Sequence, residues 1–300
     1  MNHPETKQDF PRQLADGIWV VGNYFFNLYL IRGKKRSALF EAGVSGVVDT
    51  VIRQLESLDV SPDYLILAHP HSDHFTGLSG LTARYPDAVL VAGRGAREFV
   101  LHPKAAAGMA AEDRFISNQL AARGLAPGRP PLQTFFFPED HIIVDRALTL
   151  DLGGLGLNCF MVKGHAPGNL AAHVPAIRAL LVSDSLGFHY PGRGFCPLFF
   201  TGYAEFVSTL DRLAALRPTL IGPAHQGPLG GPLAQRAVAQ AKQAALDMYD
   251  RILGDSRESD LMAAELFDRY YRAEFALYSP ENISNCMQLL IKRVRQSATA

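Results

Sequence analysis

The sequence predicts an α/β (α+β) protein in which a mixed body of about 230 residues is followed by helices alone. Short apolar runs separated by Gly, Pro and Asn are typical of strands, and they recur throughout the body. Segments with apolar residues at helical spacing alternate with these runs. After Gly231 only the helical spacing remains. We therefore expect a main domain at residues 1–230 and a C-terminal helical cap at residues 231–300.

The first half of the body alternates predicted strands with predicted helices. Short apolar or aromatic runs indicate strands at Ile18–Gly22, 28–31, 38–41, 64–68 and 88–91. The run at 64–68 is apolar throughout, as in a strand that is buried on both faces. Apolar residues at helical spacing indicate helices at 47–58, 77–85 and 102–124. Four prolines at 126–138 predict a loop.

The second half of the body continues this alternation, and the cap is helical. Strands are predicted at 147–152, 157–162, 179–182 and 219–221, and a helix at 204–216. The aromatic segment 187–200 contains Gly and Pro and is predicted to be a loop. Cap helices are predicted around 238–252, at 258–271 and at 280–295, the last with Ser279 as its cap and Pro280 in its first turn.

Charge and composition argue against several classes of protein. The chain carries 29 basic and 29 acidic residues, so no nucleic acid partner is expected, because phosphate binding usually needs a basic excess or stripe. Cys159, Cys196 and Cys286 have no paired spacing, which argues against a disulfide framework or a thiolate zinc site. The polar N-terminus lacks a signal-peptide core, and no apolar run approaches the ~20 residues of a membrane span. We expect a cytoplasmic protein with no membrane partner.

The strongest functional signal directly follows the predicted strand at 64–68, in the segment His69-Pro70-His71-Ser72-Asp73-His74. Residues two apart on an extended segment point to the same side, so His69, His71 and Asp73 share one side. Imidazole nitrogen and carboxylate oxygen are ligands of divalent metals. By composition alone, this order of His and Asp would occur in about one chain in 1,500 of this length. The segment therefore predicts a metal site.

Three further side chains of ligand type follow other predicted strands. His165 comes after the strand at 157–162, Asp184 after the strand at 179–182, and His225 after the strand at 219–221. Functional groups of α/β proteins gather where strands pass into loops. Each residue alone is more often structural than functional. Together with the first segment, they give seven candidate ligands.

The series His69-x-His71-x-Asp73-His74, Gly164-His165, Asp184 and His225 resembles the ligand series of the metallo-β-lactamase superfamily, over about residues 15–230. The resemblance implies a four-layer αββα sandwich with a dinuclear metal site between its two sheets. One divalent metal would be held by His69, His71 and His165, and the other by Asp73, His74 and His225. Asp184 would bridge the two. Zn²⁺ and Fe²⁺, and also Mn²⁺, suit these ligands.

The same resemblance implies a metallo-hydrolase in which hydroxide attacks the thioester or ester carbonyl of a small acyl substrate. Asp73, which would also orient the nucleophile, and Asp184 are the predicted catalytic residues. The terminal helices make the chain similar to capped acyl-CoA thioesterases of the superfamily. Asn169 departs from the glyoxalase-type thioesterases, which usually carry His there. Glu41 stands where many members have Asp, either beside a ligand histidine or as a structural strand-end residue.

Substrate contacts are expected from the aromatic segment 187–200 and from the cap. His189, Phe195 and Phe199 of this segment, together with Asn285 of the cap, are the candidates. The aromatic residues either line an apolar pocket for an acyl or aryl group, or pack beneath the cap.

Other functions stay open at this point. The same metal site supports phosphodiester hydrolysis, although the neutral charge and the aromatic segment argue mildly against it. A regulatory protein could retain the metal centre while binding a ligand or a protein partner. The amphipathic cap could also join two subunits as a homodimer. A redox role is the weakest alternative.

Overall fold

The structure, a computed structural model, describes residues 9–125 and 136–298. Most of the loop predicted at 126–138 therefore lies outside the described residues. The described chain forms two large β-sheets and one short hairpin, with helices on the outer faces of the sheets.

The first sheet contains seven strands in sequence order: β1 (Arg12–Ala15), β2 (Ile18–Gly22), β3 (Asn27–Arg32), β4 (Ser37–Phe40), β5 (Tyr64–Leu67), β6 (Val89–Gly93) and β7 (Ile142–Val144). Neighbours from β1 to β4 pair antiparallel, and neighbours from β4 to β7 pair parallel. β4 and β5 therefore end at the same edge of the sheet, and this edge carries Glu41 and the segment that begins at His69.

The second sheet contains six strands in the order β15-β14-β11-β10-β9-β8. Their ranges are β8 (Ala147–Asp151), β9 (Gly156–Met161), β10 (Leu170–Val174), β11 (Ala179–Leu181), β14 (Leu220–Gly222) and β15 (Leu229–Gly230). β11 and β14 pair parallel, and the other neighbours pair antiparallel. The loops after β11 and β14, which carry Asp184 and His225, consequently leave the sheet side by side.

The two sheets bury one apolar layer between them. Alternate side chains of each strand point into this layer, as the two-residue period of a strand requires. Tyr29, Phe40 and Ile66 of the first sheet share it with Cys159 and Leu181 of the second, and all five are buried. On the central strands the neighbouring positions face outward: Leu30, Leu39 and Leu65 of the first sheet and Leu180 of the second belong to a separate buried cluster shared with the helices.

Helices cover both outer faces and produce the four-layer αββα arrangement. They are α1 (Val48–Ser57), α2 (Ser72–Phe75), α3 (Leu78–Arg84), α4 (Ala96–Leu101), α5 (Pro103–Ala122), α6 (Tyr203–Ala215), α7 (Pro232–Leu253), α8 (Ser259–Tyr270) and α9 (Pro280–Ala298). On α1 the residues Val48, Val51, Ile52 and Leu55 are buried, which confirms the face predicted from their spacing. None of the helices in the described parts of the chain is long and apolar enough to cross a membrane.

The last three helices lie in the C-terminal segment that was predicted as a cap. They begin at Pro232, one residue after Gly231, and α7 and α9 pack on each other and on α6. The three cysteines are free, in agreement with their spacing. The structure also adds elements that the sequence did not predict, namely β1, β7, β10, β15, α2 and α4.

One prediction about the fold is wrong. The segment 187–200 is not simply a loop, because it contains a hairpin of β12 (Phe188–Tyr190) and β13 (Gly194–Cys196). Each strand has only three residues, and α7 packs on β13. Such short strands depend on tertiary packing rather than on local propensity.

Candidate metal centre

The predicted ligands follow four strands and meet in two groups. Within each group, one nitrogen or oxygen atom per residue lies within 4.8 Å of the others. The first group comprises His69, His71 and His165, and the second comprises Asp73, His74, Asp184 and His225. The structure thus brings together all seven side chains that were selected from the sequence.

Ring nitrogens of the first group converge at short range. His69 Nε2 lies 3.0 Å from His71 Nδ1 and 3.1 Å from His165 Nε2. Two of these three histidines are fully buried, and His71 lines a cavity. Three ring nitrogens facing one another at this distance are suited to a common cation such as Zn²⁺.

The second group mixes imidazole with carboxylate. His74 Nε2 lies 3.2 Å from Asp73 Oδ2 and 3.3 Å from Asp184 Oδ2. His225 Nε2 lies 3.5 Å from Asp73 Oδ2 and 3.4 Å from Asp184 Oδ1. All four residues are buried. The mixed donor set suits borderline divalent metals.

Asp184 contacts both groups. Its Oδ2 lies 3.7 Å from His165 Nε2 of the first group and 3.3 Å from His74 Nε2 of the second. Its Oδ1 faces His225. Asp184 therefore joins the two groups of side chains.

Outer partners orient the ligand histidines. His165 Nδ1 lies 2.7 Å from the carbonyl oxygen of Leu198, and His225 Nδ1 lies 2.7 Å from that of Phe25. A carbonyl accepts only, so Nδ1 carries the proton in both rings and Nε2 keeps its lone pair for a metal.

Glu41 is the outer partner of another ligand ring, His74. Its Oε2 lies 3.0 Å from His74 Nδ1, and both side chains are buried. Of the two alternatives for Glu41, the structure therefore favours the contact with a ligand histidine. The longer side chain still reaches the ring from the end of β4.

Three of the six non-glycine residues with positive φ in the described chain lie beside these residues. Glu41, Ser183 and Gln226 have φ values of 84°, 50° and 59°. Non-glycine residues rarely adopt this left-handed region, and it is maintained only where the surroundings enforce it. Ser183 precedes Asp184 and Gln226 follows His225, so the strained positions adjoin the ligands.

The electrostatics match a cation site. Burial lowers the pKa of His71 to about 3 and that of His69 well below its usual value, so both rings are neutral. Burial alone would raise the pKa of Asp184, but His74 and His225 lower it to about 2. Neutral imidazole and ionised carboxylate are the forms that bind metals.

His74 indicates where positive charge is needed. Burial alone would lower its pKa, yet Asp73, Glu41 and Asp184 raise it. Three carboxylates in one buried region require compensating positive charge. The donor set, the converging lone pairs and this excess of negative charge all fit divalent metal ions.

A cavity of about 610 Å³ opens onto the ligands. Its walls are largely apolar. They include Phe99 of α4, Met109 of α5, Phe188 of β12, Leu289 of α9, and Phe200, which lies between β13 and α6. Asn285, predicted as a substrate contact, also lines it, as does the neighbouring Asn282.

The other three predicted substrate contacts lie elsewhere. His189 and Phe195 line a second cavity, of about 640 Å³, between the hairpin and helices α7 and α8. Strand alternation explains this separation, because Phe188 faces the ligands and its neighbour His189 faces the opposite way. Phe199 is fully buried, with its ring against Tyr203 and Phe206 of α6.

Tyr278 and Glu112 lie near the candidate ligands and were not selected from the sequence. The Tyr278 hydroxyl donates a hydrogen bond to Asp73 Oδ2 at 2.9 Å, and burial raises its pKa well above the usual value. Glu112 of α5 accepts hydrogen bonds from Ser279 N and Oγ at 2.9 and 2.5 Å. Both contacts join distant parts of the chain, so no local motif marks them.

Two curated proteins are similar in sequence to this chain. The hydroxyacylglutathione hydrolase of Ruegeria pomeroyi is 27% identical over 192 residues, which cover 62% of this chain and 59% of that protein. The hydroxyacylglutathione hydrolase of Aeromonas salmonicida is 26% identical over 202 residues, which cover 66% and 60%. The chain thus spans about three fifths of the length of these relatives.

Solved structures share the fold at low sequence identity. A metallo-β-lactamase family protein of Thermus thermophilus matches with a TM-score of 0.66 and 19% identity, over 96% of each chain. An archaeal superfamily protein of Sulfolobus tokodaii has a TM-score of 0.56 and 19% identity, over 93% of this chain and 98% of its own. The sec-alkylsulfatase of a Pseudomonas species has a TM-score of 0.64 and 15% identity, over 94% and 49%.

The family itself is established by a match over most of the chain. The model that describes the metallo-β-lactamase superfamily matches residues 22–225. This range includes Glu41 and runs through all seven candidate ligands to His225. The protein therefore belongs to the metallo-β-lactamase superfamily, and its cap lies beyond the matched residues.

Proposed function

We propose that the protein is a dinuclear metal-dependent hydrolase that cleaves a thioester or ester of a small acyl substrate. One observation carries this proposal: two groups of metal-ligand side chains border a single, mostly apolar cavity that the cap helps to enclose. The similarity to two hydroxyacylglutathione hydrolases supports hydrolysis at such a site.

The side chains have separate roles in this proposal. His69, His71 and His165 would hold one metal ion, and Asp73, His74 and His225 the other, with Asp184 shared. Divalent metals bound there would supply Lewis acidity and lower the pKa of water at the site. Asp73 would also fix the direction from which water approaches, because its carboxylate borders the cavity.

The cavity favours an apolar acyl group. A volume of about 610 Å³ lies within the usual range for small-molecule sites. Phe188 and Phe200 lie close to the ligand histidines: the Phe188 ring is 5.3 Å from that of His225, and the Phe200 ring is 5.3 Å from that of His165. An acyl chain or aryl ring would rest on these rings with its carbonyl towards the metals.

Two thiols are candidates for the leaving group of the substrate. The sequence also resembles the alkylquinolone-signal response protein, a capped 2-aminobenzoylacetyl-CoA thioesterase, which favours an acyl-CoA. The two curated relatives favour a glutathione thioester instead. Coenzyme A carries negatively charged phosphates, and glutathione carries carboxylates. Lys104 and Arg293 line the cavity, so either molecule could be bound through its negative charge.

Phosphodiester hydrolysis is a second candidate. The same two cationic side chains favour it, because phosphate recognition relies on Lys and Arg. The apolar walls offer little to a polar diester, so we rank it below the thioester.

The test is a combined metal and activity measurement. Elemental analysis of the purified protein should find about two divalent ions per chain, and the protein should cleave members of a panel of acyl-CoA and glutathione thioesters. Asp184→Asn should lower kcat/KM by a factor of roughly 10² or more, because Asp184 faces both groups. The matched control is Asp211→Asn, which removes an exposed carboxylate paired with Lys242 and should leave activity unchanged.

The outcomes separate the candidates. Rapid cleavage of bis-p-nitrophenyl phosphate, with no thioester turnover, would replace the first candidate by the second. A metal-loaded protein that cleaves neither class would show that the centre serves another purpose, such as regulatory binding.

A further inference from the structure

Tyr278 brings a hydroxyl group from the cap into the metal centre. It precedes α9 and follows the short 3₁₀ helix Ala273–Leu277. Its hydroxyl donates to Asp73 Oδ2 at 2.9 Å and lies 3.4 Å from His225 Nε2. The residue is 6% exposed and lines the cavity.

The position of this hydroxyl is fixed from several sides. The ring makes edge contacts with Phe188 and Phe275, at centroid distances of 6.2 and 5.8 Å. The Tyr278 carbonyl accepts a hydrogen bond from the Tyr271 hydroxyl at 3.0 Å. The next residue, Ser279, is held by Glu112. A donor fixed in this way needs no rearrangement when charge develops beside it.

The two atoms beside the hydroxyl are proposed ligands of the same metal. When Asp73 Oδ2 and His225 Nε2 direct their lone pairs at a cation, the phenolic hydrogen can turn to another acceptor. The space beside it is the cavity, where the substrate carbonyl would lie. We propose that Tyr278 is a catalytic residue whose hydroxyl donates a hydrogen bond to the substrate's carbonyl oxygen; this inference rests on the proposed hydrolase function.

The step requires no proton transfer from Tyr278. The oxygen of water forms a bond to the carbonyl carbon, and the π electron pair of the carbonyl moves to its oxygen. The Tyr278 hydrogen bond stabilises that negative oxygen. The pair then returns as the carbon–sulfur bond breaks, and the thiol leaves with a proton that came from the water. This hydrogen bond is stronger in the transition state, where the oxygen carries negative charge, than in the ground state, so it raises kcat.

Tyr278→Phe removes the hydroxyl and keeps the ring. We expect wild-type metal content, a kcat that is lower by about 100-fold on the best thioester of the panel, and a KM within about threefold of wild type. The matched control is Tyr190→Phe. Tyr190 is also 6% exposed, and its hydroxyl donates to the Tyr270 carbonyl at 2.7 Å, away from the ligands. This control should keep kcat, and thermal melting of both variants reports folding.

Each result of the Tyr278→Phe experiment either supports or overturns the inference. A lower kcat with unchanged metal content and KM supports the inference. Wild-type kcat in Tyr278→Phe overturns it while leaving the hydrolase proposal intact. Loss of metal, or a change in KM alone, also overturns it, since Tyr278 would then position Asp73 or bind the ground state. If the wild-type protein cleaves no ester or thioester, the proposed function and this inference fail together.

Discussion

Replacing Glu41 by Gln removes the charge that orients His74 and hardly changes the size of the side chain. Glu41 Oε2 lies 3.0 Å from His74 Nδ1 in a buried setting. A hydrogen bond to a charged group contributes about 1.5–3 kcal/mol, roughly twice a neutral one. The substitution should therefore cost about 1–1.5 kcal/mol of metal binding, which corresponds to about 10-fold weaker affinity for the ion that His74 would hold.

Competition with a chelator of known affinity measures this change directly. Glu41→Ala leaves the buried Nδ1 without its partner, so it should weaken binding by up to about 100-fold. The control is Glu56→Gln, because Glu56 is half exposed and pairs with Arg84 on the surface. If Glu41→Gln binds both metal ions as tightly as the wild-type protein, Glu41 does not tune His74 and the reasoning is refuted.

Two further substitutions test how the ligand loops are held. Gly164→Ala places a Cβ 2.4 Å from the backbone of α6 at a φ of 101°. It should lower the free energy of unfolding in urea by more than about 3 kcal/mol and displace the adjacent His165. The control is Gly156→Ala, whose Cβ meets nothing within 4 Å and which should keep the wild-type stability. Asp113→Ala removes a buried acceptor from Ser45 N, Ser45 Oγ and Thr76 Oγ1, and should cost about 3–5 kcal/mol. A wild-type unfolding midpoint for either would contradict the role assigned.

The grouping of the candidate ligands was predictable from sequence because these residues follow strands whose apolar runs are themselves visible. Four of the seven lie within six residues, and the other three each follow a predicted strand. Cap helices were equally visible: the prediction at 258–271 differs by one residue at each end from Ser259–Tyr270. Where local periodicity sets the structure, the sequence is sufficient.

The residues that line the cavity were harder to predict. The face of the hairpin on which each side chain lies depends on the pairing of β12 with β13, which the sequence does not reveal. The hairpin strands are too short to show alternation, so His189 was selected although its neighbour Phe188 lines the cavity. The same error of one position selected Phe199 in place of Phe200. Tyr278 lies 205 residues from Asp73 in sequence, and nothing local indicates that contact.

Two successive carboxylates on α5 link the cap to the ligand segment. Glu112 accepts hydrogen bonds from Ser279, the residue after Tyr278, and Asp113 accepts one from Thr76, two residues after a ligand histidine. Successive residues on a helix project about 100° apart. One turn of α5 therefore contacts the cap on one side and the segment that follows His74 on the other. A shift of α5 by one residue would break both connections. Because α5 holds both the start of α9 and the ligand segment, substitutions of side chains that point into the cavity should change substrate preference more readily than substitutions that shift the cap.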